Sequence, residues 1–221
     1  MADQLDTLRR LAHEPQFVQF HFAAHLALEA HRQSGEADPG FWLALDSLAN
    51  ELDKSGNEEE VESLLLLSLA IRQKAMGADH LTNAALLEKL SAFNCRLGRY
   101  EKAQVYAQDV LSIIDGKLSS QSYDVLKALY VLALICHARG EYGQAESLYC
   151  RLLKNLINQE DSADLRLNEV LQLYGQLLQA TKRSAEGEYL QALAALDTAD
   201  VEKISDAIER VIVRRSKQAI G

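Results

Sequence analysis

His21 and His25 stand four residues apart, so on one helix their imidazoles share a side and can hold a single metal ion. Between them lie Phe22, Ala23 and Ala24, with no glutamate at the place where a zinc-hydrolase helix carries its base. No third ligand is close, His31 lying further along. Packing beside Phe17, Ala24 and Leu28 is therefore the expected role of these histidines, and no metal is assigned. Cys136 and His137 are neighbours, but adjacent helical residues point about 100° apart and make a poor nucleophile–base pair. The chain has no GxxxxGK[ST], GxGxxG or GxSxG motif, so neither a phosphate cradle nor a nucleophile elbow is indicated. Its carboxylates read as charge on helix surfaces. The expectation is a protein that is not an enzyme and takes no cofactor.

Composition narrows the remaining classes. Of 221 residues, 48% are apolar and 25% charged, as in ordinary folded domains, and only Pro15 and Pro39 interrupt a Leu- and Ala-rich chain. A nearly all-helical protein follows. The formal net charge of −9 lacks the clustered positive surface that nucleic acid requires, and an acidic surface can favour a basic partner segment. Arg210, Arg214, Arg215 and Lys217 sit at the end of the last predicted helix, where cations complement its dipole. The three cysteines Cys95, Cys136 and Cys150 form no CxxC and are expected to be reduced. The first residues lack the pattern of a signal peptide, and no apolar run approaches a membrane span, so a cytoplasmic protein without membrane insertion is expected.

The elements that position all these residues recur with a fixed period. Gly56, Gly98 and Gly140 are 42 residues apart, and Lys182 takes the next place. Five positions after each come Val61, Ala103, Ala145 and Gly187. Such periodicity is the mark of a solenoid. Each unit reads as a helix, a left-handed stop and a second helix. The second helices of units two and three carry Ala103, Tyr106, Ala107, Val110, Leu111 and Ile114, and Ala145, Leu148, Tyr149, Leu152, Leu153 and Leu156. Their offsets are identical and mark one apolar face of a helix. A small first residue allows close helix approach. Unit one keeps Val61, Leu64, Leu65 and Leu69 but breaks at Ser68, and Glu58, Glu59 and Glu60 fill its first turn. Unit four, with Gly187, Leu190, Gln191, Ala194, Ala195 and Thr198, is a thin, worn stripe.

These features predict an all-α fold, an α-solenoid of antiparallel helix pairs with about eleven helices. Residues 1–40 form N-terminal helices, a degenerate repeat or cap. The repeats occupy 41–76, 77–118, 119–160 and 161–196, and 197–221 supply a C-terminal capping helix built on Val201, Ile204, Ile208, Val211 and Ile212.

The segments GRYEKA (Gly98–Ala103) and GEYGQAESLY (Gly140–Tyr149), with the run from Leu69 to His80, resemble the tetratricopeptide repeat, in particular the 42-residue kind of kinesin light chains. The resemblance spans roughly residues 41–196 and implies a right-handed superhelix whose concave face is lined by the first helix of each pair. In kinesin light chains asparagines on that face grip an extended cargo peptide. Here the implied positions read Asp46, Ser47 and Asn50, then Glu88, Lys89, Ala92 and Arg96, then Lys127, Tyr130, Val131, Leu134 and His137, and finally Gln172, Gln176 and Gln179. One asparagine remains, so the cargo specificity does not transfer.

The groove residues are taken as Asn50, Lys89, Arg96, Lys127, Tyr130, Leu134, His137, Gln172, Gln176 and Gln179. Tyr130, Leu134 and His137 make an apolar and aromatic centre. Lys89, Arg96 and Lys127 can meet carboxylates, and the glutamines can bond a peptide backbone. The same positions also fit a merely solvated face. The functional expectation is a scaffold or adaptor that binds a peptide segment of a protein partner. A chaperone for a secreted or assembling protein belongs to the same class. The alternative is a self-associating structural protein, a homodimer joined through Phe17, Phe20, Phe22, Phe41 and Trp42.

Overall fold

Three successive helix pairs turn on a left-handed residue: Gly98 (φ 70°), Gly140 (φ 74°) and Lys182 (φ 64°). Each turn closes with the same two bonds. The backbone N–H groups of Arg99, Glu141 and Arg183 donate to the carbonyls of Asn94, Cys136 and Leu178 at 2.9, 2.9 and 2.8 Å. Those of Gly98, Gly140 and Lys182 donate three residues back, at 3.0, 3.0 and 3.2 Å. This is the Schellman stop, and the next helix begins two residues after the left-handed position. Glycine takes that conformation without steric cost, whereas Lys182 bears it with a Cβ.

The protein is described by a computed structural model covering residues 49–50, 53, 58–157, 166–195, 206 and 208–211. Seven helices are complete among them: α1 (Glu58–Met76), α2 (Leu81–Arg96), α3 (Tyr100–Ile114), α4 (Tyr123–Ala138), α5 (Tyr142–Ile157), α6 (Arg166–Ala180) and α7 (Ser184–Ala194). The predicted all-α fold of sequential antiparallel helix pairs is what these residues form. Among the described residues the β-structure is a lone bridge between Asp115 and Leu118. Two compact units divide the chain at Phe93 and Asn94, inside α2.

In the first unit, α1 opens with Glu58, Glu59 and Glu60 at its positive end, as expected. Its buried face includes Ser68 and Arg72 as well as Val61, Leu64, Leu65 and Leu69. The Arg72 guanidinium donates to the Thr82 carbonyl at 3.4 Å. Ser68 therefore interrupts the stripe chemically but not sterically. Asn83 secures the following turn, its amide donating to the carbonyls of Gly77 (2.9 Å) and Ala78 (2.8 Å).

In the second unit each helix packs on the next, from α3 to α7. Ala103 and Ala145 are both 0% exposed, as their small size at the crossing predicts. The unit-four stripe differs from expectation. Gly187, Leu190, Leu193 and Ala194 are buried, while Gln191 is half-buried and Ala195 exposed. This helix comes closer to its partner than any side chain would allow: a Cβ on Gly187 would lie 2.5 Å from the Gly175 carbonyl oxygen. Close backbone approach replaces the missing apolar bulk.

Several expectations lie outside the described residues. They include the helices of 1–40 with His21 and His25, the aromatics Phe17, Phe20, Phe22, Phe41 and Trp42, and Asp46, Ser47, Arg214, Arg215 and Lys217. Of the capping stretch, Ile208 and Val211 are buried and Arg210 is exposed.

Candidate functional site

A first helix in such a pair buries most of its circumference and leaves one strip open. On α4 the buried residues are Val125, Leu126, Ala128, Leu129, Leu132, Ala133, Ile135 and Cys136. What remains half-exposed is Lys127, Tyr130, Val131, Leu134 and His137, a single stripe at helical spacing. The sequence-predicted α4 residues therefore share one face. On α6 the exposed positions include Glu169, Gln172, Gln176 and Gln179, with Leu173 half-buried beside them.

A hydrogen bond joins these two faces. The Tyr130 hydroxyl donates to Glu169 Oε1 at 2.5 Å, linking the first helices of successive pairs. Glu169 is not among the expected site residues. Its signal is present in the sequence, because it lies 42 residues after Lys127 and so occupies the same repeat position. Gln172 and Gln176 are one turn apart on the open side of α6. Gln179 is held differently: its amide donates to Gln191 of α7 at 3.1 Å.

His137 is engaged with the interior side of the stripe. Its Nδ1 shares a 3.2 Å hydrogen bond with the Tyr149 hydroxyl. The ring stands edge-on to Tyr142 and Tyr149, with centroids 6.0 and 6.1 Å away. Burial lowers its pKa below the usual imidazole value, so it is neutral at pH 7. Tyr149 is itself fully buried and stacks on Tyr174 at 6.0 Å. Burial also pushes the Cys136 thiol up to about 11, with Glu141 adding to the shift. That sulfur is a protonated core group near Gln104, 3.6 Å from its amide.

The other predicted groove residues are placed separately. Arg96 is exposed at the end of α2, Lys89 is half-buried earlier on the same helix, and Asn50 is exposed on a helical stretch before α1. Asn50 and Lys89 belong to the first unit, the α4 and α6 residues to the second.

No group of three or more His, Cys, Asp or Glu side chains suited to a metal occurs among the described residues. No helix among them is long and apolar enough to cross a membrane. The cysteines are all free thiols. What the α4–α6 surface offers is contact chemistry: apolar area from Val131, Leu134 and Leu173, aromatic area from Tyr130, and two exposed amides.

Comparison with known proteins agrees with this architecture. The family model described as the tetratricopeptide repeat matches residues 82–158. No curated protein matches the chain. Among solved structures it is similar to a candidate kinesin light chain from Podosopora anserina with nearly identical TPR-like repeats. A singly substituted form of that protein shares 18% identity at a TM-score of 0.65, covering 91% of this chain and 96% of the other. BtubC (BKLC) from P. vanneervenii is 17% identical at a TM-score of 0.65, covering 93% of this chain and 89% of its own. At such identity the likeness speaks to the fold.

Proposed function

Because the chain is a tetratricopeptide-repeat protein, of a fold that generally mediates protein–protein interaction, we propose that it is a non-enzymatic scaffold or adaptor, holding a peptide segment of a partner against the open faces of α4 and α6. The observation that carries this reading is the α4 stripe. Tyr130, Val131 and Leu134 keep apolar surface half-exposed in the middle of a helix whose other sides are buried. Exposed apolar area beside exposed amides suits an extended segment, which needs both side-chain contacts and partners for its backbone.

The Tyr130–Glu169 bond supports the same reading, since it holds two neighbouring first helices in a fixed relation. A surface fixed before binding loses less entropy on association. Lys127 would favour a partner carboxylate on the α4 side, and Gln172 and Gln176 a partner backbone on the α6 side. A cytoplasmic location fits free thiols in all three cysteines.

The test is capture of the partner by tagged full-length protein from native extract. Leu134→Asp should abolish capture while helicity and melting stay as in wild type. Val105→Asp, at a position 55% exposed on the solvent side of α3, should leave capture intact. Equal capture by the Leu134 variant, or loss with the Val105 variant, would remove the α4 face from consideration.

A further inference from the structure

Three polar positions recur at both junctions of the second unit with their charges rearranged. Gln104, Glu141 and Gln144 occupy them at the first junction. Glu146, Arg183 and Glu186, each 42 residues later, occupy them at the second. One contact recurs in place, between the first and second positions, while the third position is reached from the first at one junction and from the second at the other. Gln104 Nε2 donates to Glu141 Oε2 at 2.7 Å, and Arg183 Nη1 donates to Glu146 Oε1 at 2.6 Å. Gln104 Nε2 also reaches Gln144 Oε1 at 3.5 Å, while Arg183 Nη2 reaches Glu186 Oε2 at 2.6 Å.

Each set is completed by a residue peculiar to it. At the first junction Arg139 donates to Gln104 Oε1 at 2.5 Å and pairs with Glu141 at 3.2 Å and Glu101 at 3.5 Å. At the second, the Tyr174 hydroxyl donates to Glu146 Oε1 at 2.9 Å, and the Cys150 thiol donates to that hydroxyl at 3.4 Å. The central groups are largely removed from water, Gln104 being 6% exposed and the Arg183 and Glu146 side chains 18% and 14%, while Gln144 and Glu101 lie at the exposed edge of the first set.

We propose that these three positions help key each repeat to its proper neighbour, polar complementarity adding to what the apolar stripes specify. The stripes share their offsets but differ in bulk, Ala107 standing where α5 has Tyr149. Ala103, Ala107, Val110 and Ile114 are buried in α3 as Ala145, Tyr149, Leu152 and Leu156 are in α5, at the same offsets. The polar sets discriminate further. Glu146 facing Glu141 would bring two carboxylates together in a partly desolvated site, and Gln104 facing Arg183 would leave the guanidinium without its Glu146 carboxylate. Repeats that share one architecture can pair in the wrong order or with a second copy of the chain, and a junction that disfavours the wrong neighbour suppresses this.

The key can be transplanted. Gln104→Glu places a third carboxylate around the single Arg139 guanidinium and should lower the melting temperature by roughly 4 °C or more. Glu141→Arg alone removes an acceptor and sets a second guanidinium beside Arg139, with a similar loss. The double variant Gln104→Glu/Glu141→Arg copies the Glu146–Arg183 arrangement and should recover most of the deficit. Gln104→Met, which removes the hydrogen bonds without adding charge, should cost less than Gln104→Glu. Additive losses in the double variant, or a Gln104→Met as damaging as Gln104→Glu, would overturn the proposal. If either single variant does not fold, a folded double variant supports the key and an unfolded one overturns it.

Discussion

The α4–α5 and α6–α7 hairpins solve one packing problem in two ways. Ala133 and Ala145 are both fully buried, whereas the residues 42 positions later are Gly175 and Gly187. In the later pair the backbones themselves meet. A Cβ on Gly175 would come within 2.8 Å of the Gly187 carbonyl oxygen, and one on Gly187 within 2.5 Å of the Gly175 oxygen. A helix poor in large apolar residues can thus still be well anchored, because closer approach recovers the dispersion contacts that bulk would supply. The turns differ in the opposite sense. The earlier hairpin uses glycine at its left-handed stop and the later one uses Lys182. Sequence wear and backbone strain therefore both fall in the later hairpin, the first in α7 and the second in the turn before it.

Gly187→Val breaks this comparison most severely. Neither backbone can yield easily, so a loss of about 3 kcal/mol is expected, the upper end of ordinary overpacking. Ala145→Val, at a crossing already spaced by methyl groups, should cost about 1–2 kcal/mol. Urea melts of both variants rank them, and an Ala145 variant hurt more than the Gly187 variant would mean that the tighter crossing is not α6–α7.

The stops give a smaller effect of opposite sign. Gly140→Ala forces a Cβ into the left-handed region and should destabilise by about 1 kcal/mol. Lys182→Gly relieves that strain and should stabilise by roughly 0.5 kcal/mol after the entropy of a more flexible unfolded chain is set against it. Thermal melting of the two variants should therefore shift in opposite directions.

The smallest effect is pH-dependent and separates the two hairpins by their aromatic cores. His137 has a folded-state pKa lowered by burial, so between that value and the unfolded one the unfolded chain binds more protons. Its contribution to stability is complete above the unfolded pKa, near 6.5, and declines as pH falls through that range. Replacing it by glutamine should remove roughly 1–2 °C from the fall in melting temperature between pH 7 and pH 5. Identical pH profiles for His137→Gln and wild type would show that the imidazole titrates alike in both states.

Much of this is legible in the sequence, and the reasons are physical. A glycine or its substitute at a fixed interval marks a left-handed stop, and Lys182 is recognisable as one from position alone. A small residue five places later marks a crossing, which identifies Ala103, Ala145 and Gly187. The α4 stripe follows from helical periodicity. Contacts between helices are harder to see, because periodicity reports which face a residue occupies and not what it meets there. Gly175 looks like any interior glycine until Gly187 is brought against it. Gln104 lies off the apolar stripe, and nothing local indicates that Arg139 and Glu141 will close on it. Periodicity sets His137 toward a ligand, but the buried Tyr149 hydroxyl, twelve residues on, takes its Nδ1. The Tyr130–Glu169 bond spans 39 residues and becomes visible only when equivalent repeat positions are compared.

The open face of α4 and α6, as the place where a partner is held, is the central claim. Site-specific photo-crosslinking tests that directly. A benzophenone side chain placed at Leu134 or Gln176, with a control at Val105, is irradiated in the full-length protein in native extract. Adducts to one and the same partner from positions 134 and 176, and none from 105, are the predicted result. Adducts from position 105 with none from 134 or 176 would contradict it.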